Sequence, residues 1–370
     1  MSDAIHEFDA WCEEVGPAAL VLREHLMPVE GRDGVLFPAT FAASEDKTFK
    51  GGYNIDEFSD GHNICLIDSV GSQANRIEPM FAKEVYAGLV PQIVVKAGNK
   101  PVNLLEAGHR AGDAIVRCSA LQEELQNAFK AVRNGDAEPL AKIAPTSIVF
   151  GAWDSRDTQA KLPRLIASTI RAFDVRRLTR SAQYAPATEY VEHALLEEPT
   201  DEKTRKAYAE RGFVHVPASA SHGGVIATGG IRRDATLHLA ALRLLTVGRN
   251  AAKTLALRRY ILGLALTAFT HSPSGYLRQG CNLVLDADKK REFKTVSGDG
   301  KRDDATVTHP EALAYAKAAA KAFGIDPDRK IDYKAGPDRE VMFERDLAKQ
   351  DVSGNTGDGT KATRRSRKTR

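Results

Sequence analysis

Residues 66–81 read LIDSVGSQANRIEPMF, and this stretch decides how the fold is built. It passes from an apolar run into helical spacing, which predicts a strand that leads directly into a helix. An apolar stripe on this helix is expected to pack on a sheet, and it consists of Val70, Ala74, Ile77 and Phe81. Beside it lies a polar stripe of Ser69, Gln73 and Arg76, which we expect to face outward. The free N–H groups of a helix start favour anions, so this polar stripe suits a phosphate backbone.

The same stretch has a purely structural interpretation. Asp68 or Ser69 would cap an ordinary amphipathic helix, and Glu78 would pair with Arg76 or Lys83. The residues alone leave both interpretations open.

Composition narrows the class of protein. The chain has 370 residues, 42% of them hydrophobic, which is enough for a large core in one or two domains. Its formal charge is +3, but six Lys and Arg lie in residues 351–370, so the body is close to neutral. Any nucleic-acid surface is therefore expected to be a local basic groove and not a whole basic face.

The cysteines and the apolar runs indicate in which cellular compartment the protein is expected. Four widely spaced cysteines without a CxxC pair predict reduced thiols. No secretory leader pattern is recognisable, and the longest apolar run, residues 261–269, is too short to span a bilayer. We expect a soluble, cytoplasmic protein with no membrane partner.

Periodicity and turn residues predict the following elements. Strands are expected at 91–95, 146–153 and 276–285, and helices at 107–130, 163–173, 250–270 and 311–323. Long loops are expected at 31–63 and 286–304, a flexible Gly-rich hairpin at 214–233, and disorder after residue 350. This order indicates an α/β or α+β layered domain.

Three further segments carry residues that suit nucleic acid. His109, Asp113 and Arg117 have helical spacing, which fits either an internal Asp–Arg pair or, with Arg110, two arginines that straddle a phosphate. A second segment offers a base-stacking Trp, or a core Trp, followed by two polar side chains; it contains Trp153, Ser155 and Arg156. The third is the Gly-rich stretch, either a solvated loop or a backbone-binding one, with His222, Arg232 and Arg233.

Local signatures of catalysis are missing from the sequence. It contains no P-loop, GxGxxG, HExxH, GxSxG or zinc-finger spacing, and its ten histidines are scattered. We therefore expect no cofactor and no metal site.

Four segments, taken in order, resemble one protein family. They are DSVGSQANRIE at 68–78, GHRAGDAIVR at 108–117, FGAWDSR at 150–156 and YLRQGCNLV at 276–284. They resemble the Csb-one family, the "Cas seven"-type RAMP backbone subunits of type I-G (formerly I-U) CRISPR Cascade-like effector complexes. The similarity covers most of residues 15–290.

This resemblance implies a fold. It implies an α+β, modified ferredoxin-like (RRM-type) RAMP core over residues 1–350, with insertions. A finger-like region would include about 31–63 and 96–145, and a thumb-like hairpin about 179–235. Composition, and not the resemblance, predicts that residues 351–370 form a disordered basic tail that attracts nucleic acid or merely aids solubility.

The resemblance also implies a function. Such subunits are not enzymes; they oligomerise as a helical filament along a CRISPR RNA and support pairing of this guide with target DNA. The implied partners are CRISPR RNA, target DNA, further copies of the chain, a large subunit and a Cas-five/Cas-six-type subunit. The implied RNA-binding residues are Ser69, Gln73, Asn75, Arg76, Arg110, Arg117, Trp153, Ser155, Arg156, His222, Arg232 and Arg233.

Two other functions stay open. Related type III subunits cut RNA with a loop Asp, so a metal-dependent ribonuclease would use Asp68 or Asp154 as its acid, although we expect Asp68 to cap the helix. An unrelated α/β small-molecule enzyme is the third hypothesis.

Overall fold

The structure is a computed structural model that describes residues 4–46, 48–155, 157–272, 274–334 and 336–353. Its strands are β1 (Ala19–Pro28), β2 (Thr40–Phe41), β3 (Gly52–Tyr53), β4 (Ile55–Glu57), β5 (Asn63–Asp68), β6 (Ile93–Ala97), β7 (Lys100–Asn103), β8 (Ala152–Trp153), β9 (Lys161–Leu162), β10 (Ile166–Phe173), β11 (Val175–Tyr184), β12 (Val216–Ala227), β13 (Ile231–His238), β14 (Tyr276–Arg278), β15 (Cys281–Leu285), β16 (Glu292–Val296), β17 (Arg302–Asp304) and β18 (Arg339–Met342).

The α-helices of the described residues are α1 (Asp9–Cys12), α2 (Val70–Ile77), α3 (Glu84–Ala87), α4 (Ala114–Arg117), α5 (Gln122–Arg133), α6 (Glu138–Ile143), α7 (Pro145–Phe150), α8 (Glu202–Glu210), α9 (Leu239–Leu242), α10 (Ala251–Thr270), α11 (His309–Phe323) and α12 (Arg345–Ser353). Short 3-10 helices lie at Ala4–His6, Glu78–Ala82, Leu104–Glu106 and Arg110–Gly112.

The centre of the main sheet has the strand order β15-β1-β13-β10, and all of these neighbours are antiparallel. Helix α2 lies in the chain between β1 and β10, and α10 lies between β13 and β15. Numbered along the chain as the four strands of a βαββαβ unit, this order is 4-1-3-2, the ferredoxin-like arrangement. The α+β class with an RRM-like core and insertions is therefore confirmed.

The core lies on the helix-covered face of this sheet. Alternate residues of β1 point to this face, and Leu20 and Leu22 are almost completely buried there. Strand β13 pairs with β1 from Ala19↔His238 to Leu26↔Ile231. Because the side-chain period of a strand is two, this register brings Leu237 into the same buried layer.

An arm leaves the core inside the β10–β13 connection. Strand β11 follows β10 after one residue, pairs with β12, and the chain then turns back into β13. The arm falls in the predicted thumb region, but the expected hairpin within 214–233 does not form. Strand β12 pairs with β11, whereas β13 pairs with β1 and β10, so the two halves of the Gly-rich stretch join different sheets.

Two predicted elements have the opposite type in the structure. The strand predicted at 146–153 is mostly helix α7, and the helix predicted at 163–173 is mostly strand β10. All six residues of α7 are buried, the polar Thr146 and Ser147 included, so its sequence carries no helical period. In β10 the proline that suggests a helix start precedes the strand.

The helix predicted at 107–130 is broken into three pieces. A 3-10 turn covers Arg110–Gly112, the side chain of Asp113 then caps α4, and α5 begins only at Gln122. His109, Asp113 and Arg117 therefore do not share one continuous helix face.

The remaining predictions have mixed outcomes. Strand β6 and helices α10 and α11 confirm the elements predicted at 91–95, 250–270 and 311–323. The segment 276–285 is two strands, β14 and β15, and the loop predicted at 286–304 contains β16, which pairs with β1. Helix α12 extends past residue 350, and the rest of the predicted tail lies outside the described residues. Within those residues, no helix is long and apolar enough to cross a bilayer.

The packing of α10 on α11 yields a stability prediction. A Cβ at Gly263 would lie 2.7 Å from the Cα of Ala316, so Gly263→Val forces the two helices apart. We expect the free energy of unfolding to fall by about 1–3 kcal/mol, measured by urea denaturation. Ala252→Val, at an exposed position of the same helix, is the control and costs only about 0.5 kcal/mol. Equal losses in the two variants would contradict this close packing.

Candidate nucleic-acid interface

The predicted strand-to-helix transition is present at β5 and α2. Ser69 is the N-cap of α2, and its Oγ accepts a hydrogen bond from the backbone N–H of Ser72 at 3.2 Å. The cap is thus Ser69, and the expectation that Asp68 caps the helix is wrong. Ala74 and Ile77 are buried against the sheet, as the apolar stripe predicts.

Asp68 is instead a buried hydrogen-bond acceptor, 2% exposed. Its oxygens accept from Ser72 Oγ at 2.7 Å, Gln73 Nε2 at 2.6 Å, Arg76 Nε at 3.2 Å and Arg278 Nη2 at 3.0 Å. A buried carboxylate is stable only when donors and opposite charge surround it, and these four groups supply both.

The role of Gln73 follows from this acceptor. Gln73 is 2% exposed, and its Oε1 accepts a hydrogen bond from Ser168 Oγ at 3.1 Å. The expectation that Gln73 shares an outward-facing polar stripe is therefore wrong, because both ends of its amide are used inside. Of that stripe, Arg76 keeps 34% of its side chain exposed and Ser69 is half-buried.

A second buried ion pair lies on the other side of α2. Arg110 is 3% exposed, and its Nε lies 2.6 Å from Oε2 of Glu78. Its Nη1 donates to the Gly151 carbonyl at 3.3 Å and its Nη2 to Asn75 Oδ1 at 3.2 Å. Burial raises the pKa of Glu78 to about 7, against the opposing effect of Arg110. Glu78 thus pairs with Arg110, and the pairs expected with Arg76 or Lys83 do not form.

The third segment lies next to the second. Gly112 packs so closely that a Cβ there would be 3.1 Å from the Trp153 carbonyl oxygen. The Trp153 side chain is 61% exposed, so it is not a core residue, and Lys161 Nζ lies 5.7 Å from its ring centroid. Ser155 is exposed as well, whereas Arg156 lies outside the described residues.

The fourth segment reaches α2 through Arg278. Its Nη1 donates to the Ile67 carbonyl at 3.0 Å, in addition to the bond from Nη2 to Asp68. All four segments of the resemblance thus meet around α2, although Asp68 and Arg278 are 210 residues apart in the sequence. We name the exposed side of this meeting point the α2 face, and its members are Asn75, Arg76, Trp153, Lys161 and Arg164.

Sequence reasoning missed three of these basic residues. Arg278 lies within a segment that the resemblance quotes, so its position in YLRQGC could have identified it. Arg164 and Lys161 follow the FGAWDSR segment within eight residues, and Arg164 Nε donates to the Phe150 carbonyl at 3.1 Å. No local motif marks either of them.

Several predicted residues are engaged elsewhere. Arg117 forms a bidentate ion pair with Asp351 in α12, and both hydrogen bonds are 3.1 Å long. The intrahelical pair expected between Arg117 and Asp113 does not form. In the arm, the His222 ring lies 4.8 Å from that of Tyr53.

The two arginines of β13 point to opposite faces of the sheet. Arg232 pairs with Asp234 at 2.8 Å and lies over the Phe173 ring. Arg233 is buried and pairs with Glu24 at 2.8 Å, and burial lowers its pKa. Arg233 and Arg76 line one cavity beside α2, and Arg232 does not. Of the two arginines of β13, Arg233 alone therefore lies near α2.

The α2 face can bind an anionic chain that carries flat bases. Arg76, Arg164 and Lys161 offer positive charge, and the exposed Trp153 ring offers a surface for stacking. Across the described residues, no group of three or more His, Cys, Asp or Glu is arranged to hold a metal ion.

The structure thus places exposed positive charge and one exposed aromatic ring beside an RRM-like sheet. Residues 20–177 match the model of a family described as CRISPR-associated protein GSU0053. The matched range is less than half of the chain, and it includes three of the four segments that meet at α2. The match indicates a CRISPR-associated protein family. No curated protein matches the chain.

The buried acceptor at the centre of the site yields a second prediction. Asp68→Ala leaves Arg76 and Arg278 without their shared partner, and we expect the free energy of unfolding to fall by about 3 kcal/mol. Asp303, an exposed ion-pair residue on β17, serves as the control, because Asp303→Ala should change stability by no more than about 0.5 kcal/mol. Thermal or urea unfolding measures both. A stable Asp68→Ala variant would show that the network is not structural.

Proposed function

We propose that this protein is a non-catalytic CRISPR RNA-binding backbone subunit of a type I-G interference complex. The observation that carries this proposal is that the four resembling segments meet around α2, next to the exposed, cationic and aromatic α2 face. The match of residues 20–177 to a CRISPR-associated family supports the same class.

The chemistry of the α2 face suits single-stranded RNA. Arg164 lies beside the first turn of α2, with its Nη2 3.9 Å from the position that a Cβ at Gly71 would take, and Arg76 belongs to the last turn, so phosphates would lie along the helix. Trp153 would stack on a base, which does not depend on base identity. Such a surface holds backbone and shape and leaves sequence choice to base pairing, as a guide complex requires.

The assembly is part of the same proposal. Several copies would line up along one guide, with the β11–β12 arm of each copy reaching its neighbour as the thumb. The arm suits this role because it continues from the core hairpin of β10 and β13 and carries α8 in its connection. Target DNA, a large subunit and a Cas-five/Cas-six-type subunit would complete the complex.

The two candidate acids of a ribonuclease are both engaged within the chain. Asp68 accepts the four hydrogen bonds described above. Asp154 is buried and accepts from Thr158 Oγ1 at 2.6 Å and from the Thr158 backbone N–H at 2.8 Å, which holds the turn after β8. These contacts favour structural roles for the two carboxylates, so the proposal assigns no catalysis to them. No observation favours a small-molecule enzyme.

The stacking role of Trp153 can be measured directly. We expect Trp153→Ala to weaken binding of a fluorescein-labelled single-stranded RNA about tenfold, because one stacked base contributes roughly 1–3 kcal/mol. Fluorescence anisotropy at fixed salt gives the affinity. Tyr333→Ala, which removes another exposed aromatic ring, is the control and should bind like the unchanged protein. Equal affinity of all three proteins would argue against the α2 face as the RNA site.

The absence of catalysis is a separate prediction. When the assembled complex is incubated with RNA complementary to its guide and Mg²⁺, we expect the RNA to remain intact on a denaturing gel. Cleavage at regular intervals that disappears in Asp68→Asn or Asp154→Asn would instead establish the ribonuclease.

A further inference from the structure

A cavity of about 410 Å³ opens beside α2, and Trp153 is not part of its lining. Its floor is the helix-covered face of β1, β10 and β13, and its walls are α2, the end of α10 and the strands β14 and β15. Its volume lies within the roughly 300–1,000 Å³ that is usual for small-molecule sites.

Three arginines line this cavity, and two carboxylates hold them in the same way. Arg76 is held through Nε by Asp68, while Arg233 and Arg291 approach Glu24 through Nε at 2.8 Å and 2.9 Å. Glu24 and Arg233 are also directly opposite each other in the β1–β13 pairing. The arginine positions are therefore set before any ligand arrives.

The outer ends of these arginines have no such partner. Among the described residues, no hydrogen bond uses an Nη atom of Arg76, Arg233 or Arg291. Arg233 and Arg291 share the single carboxylate of Glu24, and Arg76 binds Asp68, so three guanidinium groups meet two carboxylates and an excess of positive charge remains. Guanidinium forks of this kind match phosphate geometry.

The lining also includes an apolar wall, which consists of Leu26, Ile77, Ile170, Leu277, Leu283, Val284 and Leu285. Polar side chains on α2 and at or just after the end of α10 complete it, and they are Gln73, Thr270, His271, Ser272 and Ser274. A cavity with a cationic end and an aliphatic wall is suited to a ligand that joins a phosphate to a flat, weakly polar group.

We propose that this cavity binds one nucleoside monophosphate unit, with its phosphate on the Nη groups of Arg76, Arg233 and Arg291 and its base against the leucine-rich wall. The unit is either a free nucleotide or one nucleotide of a bound RNA strand. Only the second source rests on the proposed function, because a free nucleotide needs no guide.

Adenosine 5′-monophosphate is the probe, titrated calorimetrically into the full chain after nucleic acid has been removed. We expect it to bind, and we expect adenosine and inorganic phosphate each to bind about tenfold more weakly, since each lacks one half of the contacts. Arg291→Ala should weaken binding of the nucleotide about tenfold or more. The Arg291 side chain is half-exposed, so this change spares the fold.

A second variant tests the apolar wall. Leu285→Glu places a carboxylate at the exposed end of the wall and should abolish nucleotide binding. The matched controls are Arg302→Ala and Leu244→Glu, whose side chains are comparably exposed but lie outside the cavity lining. Both controls should bind the nucleotide normally. No binding by the unchanged protein, or equal binding by Arg291→Ala and Arg302→Ala, would overturn the proposal.

The source of the nucleotide is identified by crosslinking. A single-stranded RNA with one 4-thiouridine is irradiated on the protein, and the adduct is mapped by mass spectrometry. An adduct within 270–291 that is lost in Leu285→Glu identifies an RNA nucleotide as the occupant. Nucleotide binding without this adduct identifies a free nucleotide. If the RNA itself does not bind, the proposed function fails while the calorimetric result for the cavity still stands.

Discussion

The structure around the site depends on one buried carboxylate, that of Asp68. It terminates β5, and the four donors that surround it come from α2 and from β14. Removing a carboxylate from water is costly, so these donors cannot be moved independently of one another. The carboxylate thereby fixes the angle at which α2 leaves β5 and ties a late strand to an early one. It also holds Arg76 by Nε, which leaves the outer nitrogens of that arginine for another anion.

The Glu78–Arg110 pair constrains the position of the opposite side of α2 for the same reason, because a buried carboxylate must keep its positively charged partner. Arg110 is fully enclosed and connects α2 to the segment around Gly151, and its φ of +54° shows that the backbone bends to place it there. The arginines of the family-like segments therefore differ in role. Arg110 is buried and Arg278 binds the Asp68 carboxylate and the Ile67 carbonyl through its outer nitrogens, so both position elements of the site. Within the described residues, by contrast, the outer nitrogens of Arg76 are left unbound. A basic residue within a nucleic-acid motif is thus not by itself a phosphate contact.

The sequence was sufficient where a helix is long, as in α10 with 20 residues and α11 with 15. It failed in α7, where burial on every side erases the period, and in β10, where a preceding proline imitated a helix start. The position of Gln73 was also unpredictable, because an amide on a polar stripe gives no sign that a buried carboxylate needs its N–H. Likewise, Arg117 pairs with a partner 234 residues away, and no local spacing encodes such a contact. The order of the four family-like segments along the chain predicted the site better than the residue spacing within any one segment, because the four segments do meet around α2.

Distances along α2 relate the two sides of the site. The helix has eight residues and is about 12 Å long. Asn75 and Arg76 are neighbours in the sequence, yet Asn75 contacts Arg110 on one side and Arg76 lines the cavity on the other. An extended RNA strand that crosses α2 would reach both the Asn75 side of the helix and the cavity within a few nucleotides. Because the same buried network fixes both sides, a strand bound there meets a surface that is already ordered, which lowers the entropic cost of binding.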